Sequence, residues 1–387
     1  IIADVGSKDE LPGEEGMAHF IEHMVFKGTK RRRNFHILNY LESVGGDLNA
    51  YTTKEKTCFY ASLPTQHFDR AVELLSDIVF HSTFPSDEIK KEKQVIGEEI
   101  DMYRDSPEEA IFEDFDLYSY PKHPLGKPIL GTRESLKGFT QKGLRAFMAR
   151  TYTAPRLVVV VVGQLSEQQV REVCTRHLGG VRLTQEKRGR RRKPTFKTFQ
   201  EELLVPQQQA HQVMGAEAYP LHGDRNYIPF YLLNNHLGGP SMNSLLNFRI
   251  REKLGLTYNI YSFYTPYEET GLWGIYFACE PGNLARIEDL VHRELKALRA
   301  SKPGTSRLAQ MKRQMTGQLT LAFESPVSQM LNMGKNHLDF GRDWTLEEVI
   351  EQVEAVTASQ MWDSANEVFS PKGMSALRYL PGEPEGD

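Results

Sequence analysis

Residues 19–23 read His-Phe-Ile-Glu-His. On a helix, two imidazoles four apart and a carboxylate three after the first fall within roughly a 100° arc, so three metal-competent groups meet at one place. Neutral imidazoles hold zinc at hydrolytic centres, and such a centre also needs a carboxylate, not bound to the metal, that takes a proton from water. His19 and His23 suit the first role and Glu22 the second. Met17, Phe20, Ile21, Met24, Val25 and Phe26 surround them, so the helix is expected to be buried on most sides, where His and Glu need partners. Gly28, just past the periodic run, is expected to stop it.

Two histidines do not complete such a centre, and residues 84–107 supply a further candidate ligand. Pro85 and Ser86 open a helix whose first turn carries Asp87 and Glu88 at the positive end of the dipole, and Ser106-Pro107 closes it. At about 100° per residue, Ile89, Glu92, Ile96, Glu99, Ile100 and Tyr103 share one arc, while Lys90, Lys91, Gln94, Glu98 and Asp101 face away. Of the adjacent pair Glu98 and Glu99, only Glu99 points inward. An inward glutamate is ordinarily half of a buried ion pair; beside a metal motif that lacks its third ligand, metal binding becomes the better reading.

The chain resembles the pitrilysin-type zinc peptidases with the inverted motif, the family that includes the mitochondrial processing peptidase. The resemblance rests on residues 16–29, Gly-Met-Ala-His-Phe-Ile-Glu-His-Met-Val-Phe-Lys-Gly-Thr, and 45–52, Gly-Gly-Asp-Leu-Asn-Ala-Tyr-Thr. Val95-Ile-Gly-Glu-Glu and the stretch 251–258, Arg-Glu-Lys-Leu-Gly-Leu-Thr-Tyr, extend it. It covers nearly the whole chain and is strongest toward the single-length, processing-peptidase-like members. It implies one zinc ion per chain held by His19, His23 and Glu99, with Glu22 as general base. Glu92 is implied to hydrogen-bond a ligand imidazole, a place the helical projection also gives it. Arg251 and Tyr258 match a pair that reaches the substrate and assists there. Asn49, Ala50 and Tyr51 match an edge strand on which substrate lies extended, so that unstructured peptides or presequences are the expected substrates and folded proteins are not.

The elements that must position these groups are legible in part. Residues 48–60 read as strand material, with Lys54-Glu55-Lys56 as the turn and 57–63 as the return strand. A faint internal repeat runs through the chain: Phe139-Thr140, a helix, Pro155, a strand and Gly163 are echoed at an offset of about 217 residues by Val356-Thr357, a helix, Pro371, a strand and Gly382. Two related α+β domains are therefore expected, each a mostly antiparallel sheet packed with helices and together enclosing a cavity. They are a zinc-binding domain at 1–185 and a second at 199–387 that kept the fold without the metal motif. The basic stretch 186–194 carries Gly and Pro and no interleaved aromatics, so 186–198 reads as a solvated linker and not as a nucleic-acid patch. The Arg31-Arg32-Arg33 triplet is read with the same restraint.

Composition agrees. A chain of 387 residues, 40% hydrophobic, exceeds one ordinary core, and a net charge of −4 gives no reason to expect nucleic acid or an anionic membrane. No apolar run spans a membrane; 157–162 reads as a short buried strand. Three scattered cysteines show neither metal spacing nor a disulfide framework, which favours a reducing, cytoplasmic setting. Ile1-Ile-Ala-Asp-Val reads as the middle of a strand, so a preceding segment is expected to have been lost, and periplasm or mitochondrial matrix stay open. A homodimer, or a heterodimer with a related subunit, follows from the resemblance. The competing reading is a structural or peptide-binding subunit whose catalysis is dispensable, which the intact His19, Glu22, His23 and Glu99 oppose.

Overall fold

The computed structural model describes residues 1–187, 189, 193–222 and 226–382. Its strands are β1 (Ile2–Ala3), β2 (Asp47–Thr52), β3 (Thr57–Ser62), β4 (Leu157–Val158), β5 (Gln200–Val205), β6 (Ala210–Ala218), β7 (Asn259–Pro266), β8 (Gly271–Cys279) and β9 (Ser375–Pro381). Its helices are α1 (Met17–Met24), α2 (Asn34–Glu42), α3 (Phe68–Phe80), α4 (Ser86–Asp105), α5 (Pro107–Ser119), α6 (Arg133–Lys137), α7 (Gln141–Thr151), α8 (Glu167–Leu178), α9 (Tyr227–Gly238), α10 (Leu284–Ala300), α11 (Thr305–Phe323), α12 (Pro326–Phe340), α13 (Leu346–Ala355) and α14 (Ala358–Val368). This is the α+β class expected, with two sheets clothed by helices.

Two units result. Unit 1 gathers Ile1–Met102, Lys127–Arg190 and Phe323–Trp344; unit 2 gathers Tyr103–Gly126, Arg191–Ala322 and Thr345–Asp387. The domains expected at 1–185 and 199–387 are continuous stretches, whereas the compact units are not: 103–126 packs in unit 2 and 323–344 in unit 1. The reason is packing. Ile111 and Phe115 of α5 share a buried cluster with Val213, Leu377 and Tyr379 of the second sheet. On α12, Gly334 lies so close to Ile2 that a Cβ there would meet the isoleucine Cδ1 at 2.4 Å. Of the linker expected at 186–198, residues 188 and 190–192 lie outside the described residues.

In unit 1 the sheet order is β2-β3-β1-β4, antiparallel, with Ile2 opposite Cys58 on one side and Val158 on the other. Phe20, Ile21, Met24 and Val25 of α1 and its end pack with Ile37, Leu41, Phe59, Leu74 and Ile78 in one core. β2 and β3 pair from Asp47↔Ser62 to Thr52↔Thr57, as the sequence indicates, and β2 is an edge of the sheet. Three expectations change. α1 ends at Met24, four residues before Gly28, which instead bridges to Arg33. The run 157–162 is strand only at Leu157 and Val158, because β1 supplies no partner beyond Ile2, and Val159 is 42% exposed. Arg32 is no open surface cation: it bonds Glu73 and Asp77, each at 2.7 Å, with its side chain 12% exposed.

In unit 2 the order is β5-β9-β6-β8-β7, antiparallel except for the parallel β5–β9 pair. Phe230, Trp273 and Phe369 anchor its core. The internal repeat appears as matched elements. Thr140 caps α7 by accepting the Gly143 N–H, and a short 3₁₀ turn leads into β4; Thr357 caps α14 by accepting the Gln360 N–H, and a similar turn leads into β9. A second correspondence escaped the sequence: hairpin β2–β3, a 3₁₀ turn and α3 are repeated by hairpin β7–β8, a 3₁₀ turn and α10.

The metal-motif helix is held at its start from a distance. Gly16 sits at φ 91°, and a Cβ there would meet the Leu130 carbonyl at 2.4 Å, so only glycine fits. The free amides of the first turn are taken by the buried Glu10, which accepts from the Gly16 and Ala18 N–H groups at 2.9 Å each. Burial holds the Glu10 carboxyl well above its usual range despite those two bonds. Glu10→Ala is expected to lower unfolding stability by about 1–3 kcal/mol, the cost of stranding buried donors, read as a fall in denaturant midpoint at unchanged slope. An unchanged midpoint would show that the cap carries no weight.

Candidate metal centre

His19, Glu22 and His23 all come from α1, and Glu92 and Glu99 from α4. The helical projection holds on α4: Ile89, Glu92 and Ile96 are buried and Glu99 is half-buried, while Lys90, Lys91, Gln94, Glu98 and Asp101 are exposed. One ligand atom each from His19, His23 and Glu99 lies within 4.8 Å of the others. Glu99 Oε1 stands 3.8 Å from His19 Nε2 and Oε2 stands 3.7 Å from His23 Nε2, too far for hydrogen bonds. A tetrahedral ion with bonds of about 2.0–2.1 Å separates its donors by roughly 3.3 Å, so the three groups fit around one cation with little movement.

The remaining contacts fix these groups in place. His23 Nδ1 is 2.8 Å from Glu92 Oε1, which turns Nε2 toward Glu99. Lys27 Nζ lies 2.7 Å from the other Glu92 oxygen. Thr52, at the end of β2, donates its hydroxyl to Glu22 Oε2 at 2.6 Å. His19 Nδ1 is buried without a hydrogen-bond partner among the described residues.

The electrostatics suit a cation. Burial, aided by the neighbouring His23, pushes His19 down to about 3, so it is neutral and keeps a lone pair for a metal. Burial alone would lower His23 too, but its hydrogen bond to Glu92 and the charges of Glu92, Glu99 and Glu22 outweigh that and raise it. The same field that draws a proton to His23 draws a metal ion. Burial raises Glu99, partly countered by His23. Burial also raises Glu22, with the Thr52 hydrogen bond and His23 opposing and Glu99 adding to the rise. Glu92 is lowered: burial works upward and is overcome by the His23 and Lys27 bonds.

Five of the residues singled out in the sequence are thus brought together in unit 1. On β2, Asn49 is exposed and Ala50 and Tyr51 are half-buried; the Tyr51 ring faces Lys335 Nζ at 5.5 Å. Arg251 and Tyr258 belong to unit 2. Arg251 lies on the π-helical turn Asn247–Glu252, its guanidinium 5.1 Å from the Tyr258 ring centroid, and Tyr258 is 84% exposed. Sequence reasoning missed Thr52 and Lys27. Lys27 follows His23 by four residues, a spacing that would have flagged it; Thr52 closes the quoted stretch 45–52 but gives no sign of what it touches. Among the described residues, no helix is long and apolar enough to cross a membrane, and the three cysteines form no disulfide.

Comparison with known proteins points the same way. Residues 1–133 match the model for insulinase, peptidase family M16, and 138–315 match that for the peptidase M16 inactive domain. The chain is 36% identical over 372 residues to the Bacillus subtilis protein called uncharacterized zinc protease YmxG, covering 96% of this chain and 90% of that one. It is 32% identical to an uncharacterized zinc protease of Rickettsia bellii, over 97% of this chain and 90% of the other. A crystal structure of a Helicobacter pylori protease superposes with a TM-score of 0.90 at 20% identity, covering 98% of this chain and 92% of that one. At that identity the likeness shows the fold alone. With both family models matched in order along one chain, and relatives above 30% identity spanning nearly all of it, this protein belongs to peptidase family M16, the pitrilysin type.

Proposed function

We propose that the protein is a zinc endopeptidase acting on unstructured peptides or presequences, with His19, His23 and Glu99 holding one zinc ion per chain and Glu22 as the base. The observation that carries this reading is the convergence of His19, His23 and Glu99 within 4.8 Å beside a glutamate that lies outside the ligand set. Bound zinc would supply Lewis acidity to the scissile carbonyl and to a water molecule.

The chain's own groups do the rest. Glu22 Oε1 takes a proton from the attacking water and passes it to the departing amine nitrogen. Its raised carboxyl suits a base that must also serve as an acid near neutral pH. Glu92 fixes the ring orientation of His23. Asn49, Ala50 and Tyr51 lie on β2, an edge strand of its sheet, which supports binding of an extended substrate as an added strand. Arg251 and Tyr258 are assigned contact with the substrate carbonyl on the match of residues 251–258. A cytoplasmic setting and a homodimer or paired heterodimer belong to the same reading.

The test is cleavage of an unstructured peptide of about 20 residues, a length that fills an extended site, by the purified chain with and without a chelator. Turnover that chelation abolishes and zinc restores is expected. A chain that carries zinc yet leaves the peptide intact would favour the other reading, a peptide-binding or structural subunit.

A further inference from the structure

We infer that Thr52 is a positioning residue for the base, anchoring one oxygen of Glu22 so that the other alone handles the proton; this rests on the peptidase reading above. Glu22 Oε2 accepts the Thr52 hydroxyl at 2.6 Å, the length of a charge-assisted bond. Its Oε1 has no hydrogen bond among the described residues. The carboxylate is therefore asymmetric: one oxygen is tied to the sheet and the other is left to react.

The anchor is rigid at both ends. Thr52 is β-branched, with few side-chain rotamers open to it, and its backbone is paired in register with Thr57. Thr57 is itself buried, its hydroxyl bound to the Val5 carbonyl at 2.8 Å. Glu22 sits between two histidines of a helix buried against the same sheet. The bond survives a full proton cycle. When water gives its proton to Oε1, the carboxyl becomes neutral, but Oε2 remains an acceptor for Thr52; when Oε1 returns the proton to the amine nitrogen, the original state is restored. Without the hydroxyl, the one hydrogen bond that the Glu22 carboxylate accepts among the described residues disappears and the carboxylate is free to turn.

Thr52 also follows directly on Asn49, Ala50 and Tyr51. A peptide added to the β2 edge would therefore lie on the strand that holds the base, and substrate and base would be registered to one element.

The experiment compares wild type, Thr52→Val, Thr52→Ser, Glu22→Gln and the double variant Thr52→Val/Glu22→Gln, each with its zinc content measured. Thr52→Val is expected to lower kcat by about 10- to 100-fold, the rate equivalent of one charge-assisted hydrogen bond, with KM within about twofold of wild type. Thr52→Ser should recover most of the loss, and in the Glu22→Gln background Thr52→Val should change nothing further, since its effect runs through that carboxylate. Thr52→Val with a wild-type kcat, or a further loss in the double variant, would overturn the inference. If wild type itself fails to cleave, the peptidase reading falls, and crystal structures of wild type and Thr52→Val still decide the role of Thr52. The Glu22 carboxylate should leave its wild-type rotamer in the variant, and an unmoved carboxylate would overturn the proposal.

Discussion

Glu22→Gln is expected to leave zinc and peptide binding intact while lowering kcat by about 10²- to 10⁴-fold, the range that a positioned general base contributes. Glutamine matches glutamate in size, and its carbonyl oxygen still accepts the Thr52 hydroxyl, so the neighbourhood of His19 and His23 is undisturbed. What is lost is the ability to hold a proton between attack and departure. The side chain lies outside the group of ligand atoms formed by His19, His23 and Glu99, which predicts one zinc per chain in the variant as in wild type. The measurement pairs steady-state cleavage of an unstructured peptide with metal analysis of the same preparation. Loss of zinc in Glu22→Gln would make Glu22 a ligand, and retained turnover would place the base elsewhere.

The site is legible in the sequence because helices convert spacing into direction. His19 and His23 are one turn apart, Glu92 and Glu99 are two turns apart, and the apolar residues among them fix which way each face points. The separation of Glu98 from Glu99 follows from that arithmetic and agrees with their burial. Contacts between elements distant in sequence have no such rule. Glu10 reaches back to cap α1 because residues 6–10 run past the hairpin turn, Gly6 being close enough that a Cβ would meet the Thr53 carbonyl at 2.4 Å. Neither residue carries a mark of the other.

Which unit a segment packs in is hidden for a related reason. A basic, Gly- and Pro-bearing stretch near the middle looks like a division, and the chain does change units there. The segments that cross, 103–126 and 323–344, are ordinary amphipathic helices in sequence, and only the sheet faces they cover reveal their unit. Lys56, in what reads as a hairpin turn, is buried and pairs with Asp339 of α12 at 2.6 Å, nearly 300 residues later. The run 157–162 shows the opposite error: composition alone reads it as a buried strand, but a strand exists only as far as a partner does.

Glu99→Gln should weaken zinc binding far more than Glu98→Gln, and this pair tests the metal centre most directly. Glu99 presents both oxygens to the two imidazoles, at 3.8 and 3.7 Å, whereas Glu98 is exposed on the opposite side of α4. Replacing the Glu99 carboxylate removes a candidate donor and also one of the charges that raise His23 and would attract a cation. The loss should exceed the roughly 10- to 100-fold in affinity that follows from removing a residue which only orients a ligand. Glu98→Gln should stay within about twofold of wild type, as a surface change remote from the site does. Competition with a chromophoric chelator gives both affinities without reference to turnover. Equal behaviour of the two variants would remove Glu99 from the ligand set, and a reversed order would mean that the face of α4 turned toward the imidazoles is off by one residue.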